Sequence, residues 1–148
     1  MAQYVESLEV PETAAPATSW LEEEVEVSRT TYQAYQILYY AFIALPAIAG
    51  LDKFLHFLTT WDNYVSPGIL RMLHMTPAAV TSLTGLVEIA AALTVALKPR
   101  IGSWVITVWL WLIVINLLSM HGYYDIVLRD LALSAAALAF TRLSAECN

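Results

Sequence analysis

Residues 78–97, AAVTSLTGLVEIAAALTVAL, limit the fold more than any other part of the chain. Nearly all are apolar, small or weakly polar. A helix of about 20 such residues, rising ~1.5 Å per residue, spans the ~30 Å hydrocarbon core of a bilayer. The exception is Glu88, eleven residues in and so close to the midplane. On insertion scales a charged side chain there costs about 2.5–3.5 kcal/mol, so the rest of the chain must supply something to offset it. The composition fits this reading. Hydrophobic residues make up 59% of the chain and charged residues 14%, against about 45–50% and ~25% in a soluble domain.

The net charge of −6 is a local feature. Glu6, Glu9, Glu12, Glu22, Glu23, Glu24 and Glu26 lie near the N-terminus, and the remainder is close to neutral. No basic cluster points to nucleic acid. The single cysteine, Cys147, has no partner for an internal disulfide. No basic segment followed by an apolar core opens the chain, so no cleaved signal peptide is expected.

Two parts are expected: a disordered acidic arm over residues 1–30 and a transmembrane domain over 31–145. Ser19 and Glu22 form a capping-box pattern from which a short interfacial helix can start. The first span is expected over 32–51. It is uncharged, loaded at one end with Tyr32, Tyr35, Tyr39 and Tyr40, and carries Pro46 inside. Leu51, Phe54, Leu55 and Leu58 repeat at helical spacing, which allows the helix to continue to about Trp61. Ser66-Pro67-Gly68 marks a connector turn. Thr76 and Pro77 then suit the cap and first position of the second span, 78–97. Lys98-Pro99-Arg100 makes a tight basic loop before the third span, 101–120. Gly122 ends that helix, Asp125 is placed to cap the next, and the fourth span is expected over 126–143. The expected fold is therefore all-α: an integral membrane four-helix bundle, antiparallel. Arg29, Lys98, Arg100 and Arg142 outnumber Lys53 and Arg71, which places both termini in the cytoplasm.

Four ionisable residues fall within or just inside the spans: Lys53, Glu88, Arg129 and Asp130. Helical side chains lean toward their own N-terminus. In this topology Lys53 leans back into the membrane while Glu88 leans outward, so the two reach toward each other. Arg129 and Asp130 enter from the same outer end. The set reads either as an ion-pair network that fixes helix packing or as a site for a quinone, a proton or a small substrate. His56, His74 and His121 all fall at the outer face. Interfacial positions account for them, and their spacing matches no metal motif. His56 and His121 also bound a candidate outer-face pocket.

The residues resemble the DoxX-like family of small four-helix membrane proteins. Gly50-Leu51-Asp52-Lys53-Phe54 is similar to the Gly-x-x-Lys-Phe that ends the family's first helix. Gly85-Leu86-Val87-Glu88 is similar to its Gly-x-x-Glu in the second, and the run from Tyr124 to Leu131 resembles its Arg-Asp start of the last helix. The likeness covers roughly residues 32–143 and leaves out the acidic arm. It implies a prokaryotic inner (cytoplasmic) membrane. It also implies a place among subunits of thiosulfate:quinone oxidoreductase or thiol and oxidative-stress redox assemblies, with quinone contact as the cofactor expectation. Thiol chemistry transfers poorly to a chain with one cysteine. Three functions stand side by side: a quinone-associated redox-linked subunit, a non-catalytic scaffold docking a protein partner through the acidic arm, and a small transporter.

Overall fold

The computed structural model describes residues 17–147, with side chains from Arg29 onward. The chain is all-helical, with no strand among the described residues. Among the described residues five α-helices follow one another: α1 (Ala17–Leu55), α2 (Pro67–Leu73), α3 (Pro77–Leu97), α4 (Pro99–Leu118) and α5 (Tyr124–Cys147), with a 3-10 turn at Trp61–Tyr64 between α1 and α2.

Three of these helices, over Arg29–Leu55, Pro77–Leu97 and Pro99–Leu118, are long and apolar enough to cross a membrane. They point to a membrane protein whose apolar helices contact a lipid bilayer. Their outward faces fit that surrounding. Ile37, Leu45 and Ile48 on α1, Leu86 and Leu93 on α3, and Trp104, Val108 and Ile115 on α4 are all exposed. The inward faces carry the small and polar residues instead. Thr81, Gly85, Ala91 and Ala92 are buried on α3, and Gly102, Ser103 and Thr107 on α4. Burying small residues lets membrane helices approach closely, because lipid already solvates the large apolar ones.

Helix α5 differs from expectation. Residues 126–143 are helical, but α5 does not reach the apolarity of the other three. Asp125, Arg129, Asp130, Arg142 and Glu146 interrupt it. Its buried stripe, Val127, Asp130, Ser134, Ala137, Phe140, Thr141 and Ser144, is mostly polar or small apart from Val127 and Phe140, while Leu128 and Leu138 face outward. Ser134 and Thr141 donate their hydroxyls to carbonyls one turn back, which satisfies them within the helix.

The N-terminal reading also changes. α1 runs unbroken from Ala17, two residues before the expected cap at Ser19. Residues 17–30, expected in a disordered arm, are therefore helical and continuous with the first span. Residues 1–16 of that arm lie outside the described residues. At ~1.5 Å per residue the 39-residue α1 is about 58 Å long, nearly twice the hydrocarbon thickness. Pro46 sits inside it without ending it.

α1 stops at Leu55, not near Trp61. His56 takes a left-handed backbone (φ 55°) and its N–H donates to Asp52 O at 2.7 Å. His74 (φ 52°) and His121 (φ 47°) are left-handed in the same way. His74 is the C-cap of α2, and His121 follows the end of α4. The left-handed region is uncommon for residues other than glycine, with histidine among those enriched there. His56 and His74 are thus helix-stop residues, and His121 turns the loop between α4 and α5.

The connector marked by Ser66-Pro67-Gly68 contains α2. Ser66 Oγ accepts the N–H of Ile69 and Pro67 takes the first position. Asn116 of α4 fixes this segment from both ends of its amide. It accepts from Ser66 N at 3.0 Å and donates to Tyr64 O at 2.6 Å. Thr76 Oγ1 accepts the N–H of Ala79, and Pro77 follows as the first residue of α3. Lys98 alone separates α3 from α4. Asp125 stands in the first turn of α5, one residue past the start at Tyr124.

α1 packs on α3 and α5, and α4 packs on α3 and α5. The larger core cluster joins Tyr35, Phe42, Ala91, Val95, Ile106, Ala137 and Phe140. Phe140 stacks between Tyr35 and Phe42, with ring centroids 5.8 and 5.6 Å away. A smaller cluster of Val114, Leu117 and Val127 packs under Tyr64 and Tyr123.

Candidate functional site: a buried lysine and glutamate

The crossing of α1 and α3 is made by two glycines. A Cβ on Gly85 would meet Gly50 O at 2.8 Å, and one on Gly50 would meet Gly85 O at 2.8 Å. Only glycine allows the two backbones to come this close. Lys53 and Glu88 each stand three residues after one of these glycines, so the crossing carries them to each other. Lys53 Nζ donates to Glu88 Oε2 at 2.6 Å. Each residue is 6% exposed.

Two indoles flank the pair. Trp109 of α4 donates its Nε1 to the second carboxylate oxygen, Glu88 Oε1, over a long 3.4 Å. The Lys53 ammonium sits 3.8 Å from the centroid of the Trp61 ring. A cation over an indole face is worth about 0.5 to 2 kcal/mol, more when desolvated. Asp52 holds Trp61 there. Its Oδ2 accepts from Trp61 Nε1 at 2.7 Å, and its Oδ1 accepts from Phe57 N and Leu58 N at 2.9 and 3.0 Å. One buried carboxylate thus ends α1, turns the chain and lays Trp61 over the lysine.

Asp52→Asn tests this arrangement. An amide oxygen can keep the two backbone N–H groups, but the amide nitrogen cannot accept from Trp61. Leaving a buried donor unsatisfied costs about 1–3 kcal/mol. The variant is expected to unfold with that loss in a thermal or denaturant titration, with a changed near-ultraviolet dichroism as Trp61 comes free. An unchanged spectrum and stability would mean that Asp52 does not hold the indole.

Asp130 is buried on α5. Arg129 differs from its expected place. Its side chain is 64% exposed, and its Nε donates to Asp130 Oδ1 at 3.2 Å from the surface side. Successive residues on a helix point about 100° apart, and here packing turns Asp130 inward and Arg129 outward. The structure therefore joins Lys53 and Glu88 directly, buries Asp130 on α5 with Arg129 as its partner, and leaves Arg129 at the rim.

His56 and His121 are exposed at helix ends. A cleft of the molecule lies elsewhere, lined by Tyr35, Tyr39 and residues 96–101. Among the described residues, no group of three or more histidine, cysteine or carboxylate side chains is arranged to hold a metal ion. Sequence reasoning missed Asp52, Trp61 and Trp109. Asp52 was open to detection, because it adjoins Lys53 on a helix that carries an apolar repeat past it. The two tryptophans gave no signal beyond that of interfacial or packing aromatics.

Comparison with known proteins yields no matching family model, no matching characterised protein and no matching solved structure.

Proposed function

We propose that the chain is a DoxX-like integral membrane protein of four antiparallel spans, α1, α3, α4 and α5. Both termini would be cytoplasmic, in a prokaryotic inner membrane. In this reading it is a redox-linked subunit whose Lys53–Glu88 pair engages a quinone head group.

The observation that carries the reading is the buried ion pair flanked by two indoles on apolar helices. Intramembrane ionisable residues are expensive and commonly mark a functional path. The antiparallel arrangement is supported by contacts that run in opposite senses. Gly50 lies against Glu88 and Lys53 against Gly85, while Tyr39 donates to Ala96 O further back on α1. The one-residue link at Lys98 forces the same reversal between α3 and α4. α5 is supported as the fourth span by its packing on α1 and α4 and its outward leucines.

A quinone, when bound, takes up and releases electrons together with protons. The residues fit that task. The Lys53 ammonium has three N–H donors, and Glu88 accepts from one of them. Glu88 is a carboxylate able to carry a proton beside it. Trp61 offers a flat apolar face and, held by Asp52, screens the pair from the surface.

The test is extraction of small molecules from gently purified full-length protein, followed by mass spectrometry. Quinone should be retained by the wild type and depleted roughly tenfold in Glu88→Gln, the loss expected for one hydrogen bond to a charged group. A wild type without quinone, or equal retention in both proteins, would contradict the reading. One observation favours a second reading, a non-catalytic subunit that docks a soluble partner. Glu22, Glu23, Glu24 and Glu26 ride on α1, in the part that precedes Arg29 and the span. A partner that co-purifies with the full chain and is lost on deleting residues 1–28 would support it.

A further inference from the structure

Far from the ion pair, the chain forms a cleft of about 530 Å³ where the end of α3 and the start of α4 meet α1. Lys53 and Tyr39 are fourteen residues apart on α1, or about 21 Å along a helix.

The chemistry of the cleft is cationic and aromatic. Tyr35, 8% exposed, lines it, and its hydroxyl has no hydrogen-bond partner among the described residues. Its ring is fixed by stacking on Phe140. Tyr39 donates to Ala96 O at 3.0 Å and closes one wall. Lys98 and Arg100 line the mouth on either side of Pro99, both exposed. α3 ends and α4 begins here, so the two helix dipoles oppose each other and the positive charge of the mouth comes from Lys98 and Arg100. None of the residues lining the cleft carries a carboxylate.

We propose that this cleft binds the phosphate group of an anionic phospholipid. Lys98 and Arg100 supply the charge and the Tyr35 hydroxyl, which lines the cleft without a partner among the described residues, supplies a hydrogen-bond donor. Leu97 and Ile101 favour a lipid over a free anion. Both are exposed beside the two cations, so apolar side chains for an acyl chain adjoin cations for the head group. Basic side chains at a membrane surface attract anionic lipid by about a factor of five each. The proposal rests on the membrane placement of α3 and α4 and is independent of any quinone.

The test uses full-length protein in a neutral detergent. Phosphatidylglycerol, phosphatidylcholine and inorganic phosphate are titrated separately, with binding read by native mass spectrometry and by the unfolding midpoint. Phosphatidylglycerol should bind and raise the midpoint by several degrees, while the other two leave it unchanged. The double variant Lys98→Gln/Arg100→Gln should unfold as the wild type does without lipid, yet bind phosphatidylglycerol roughly twenty-five-fold more weakly. Lys98→Arg/Arg100→Lys should restore binding. Tyr35→Phe should weaken it about fivefold, the loss of one hydrogen bond. Equal binding of phosphatidylcholine, or undiminished binding by the glutamine variant, would overturn the site. A shift with inorganic phosphate alone would overturn the lipid as its ligand. A chain that stays monodisperse without detergent would instead refute the membrane placement, which separates the two failures.

Discussion

Replacing Lys53 by methionine is expected to remove about 3–5 kcal/mol of folding stability. Methionine is unbranched and of similar length, so the loss is electrical more than steric. It leaves Glu88, 6% exposed, with only the long bond from Trp109. It also removes the cation from the Trp61 face. The Coulomb attraction of the pair is large in such surroundings, but the cost of burying each charge is comparable. The intact pair therefore contributes little net stability, while either half alone is strongly unfavourable. Denaturant or thermal unfolding in detergent, followed by circular dichroism, reads the loss. A change below about 1 kcal/mol, the scale of an exposed pair, would show that water reaches these charges.

The second large effect is expected at the glycine crossing. In Gly85→Ala the new Cβ would lie 2.8 Å from Gly50 O, 3.0 Å from the Phe54 ring and 3.1 Å from Lys53 Cβ. A carbonyl oxygen within a helix cannot swing aside, so α1 and α3 must separate. Overpacking of this kind costs about 1–3 kcal/mol. The separation acts directly on the site, because the residues three positions on from the two glycines form the ion pair. Gly50→Ala should behave alike, since its Cβ would meet Gly85 O at 2.8 Å and Ile89 Cγ1 at 2.9 Å. Gly85→Ala is expected to lower the unfolding midpoint and to weaken the Lys53–Glu88 coupling. A variant as stable as the wild type would mean that the helices do not cross as closely as described.

The elements set by local chemistry were legible in the sequence. Thr76 and Pro77 start α3, and the apolar run beyond them carries it to Leu97. Lys98 and Pro99 mark the reversal into α4. Side-chain lean along a helix was enough to aim Lys53 and Glu88 at each other. What stayed hidden depends on geometry that spacing does not encode. Arg129 and Asp130 are neighbours in sequence, and only packing selects Asp130 to face in. Asp52 looks like a flanking charge until the left-handed His56 folds residues 57 and 58 back onto its carboxylate. Nothing local says that the N–H groups of Trp61 and Trp109 point at carboxylates. The acidic run before Arg29 reads as a solvated arm by charge, yet α1 already includes it from Ala17.

The most direct measurement is a double-mutant cycle on the ion pair: Lys53→Met, Glu88→Met and the two together, in full-length protein unfolded in one detergent. If the charges form one buried unit, each single variant is destabilised, and the double variant lies closer to the wild type than either. Because the double variant loses less than either single one, the interaction energy should exceed the single losses of about 3–5 kcal/mol. Losses that add to within about 0.5 kcal/mol would contradict the account, because residues 53 and 88 would then be independent.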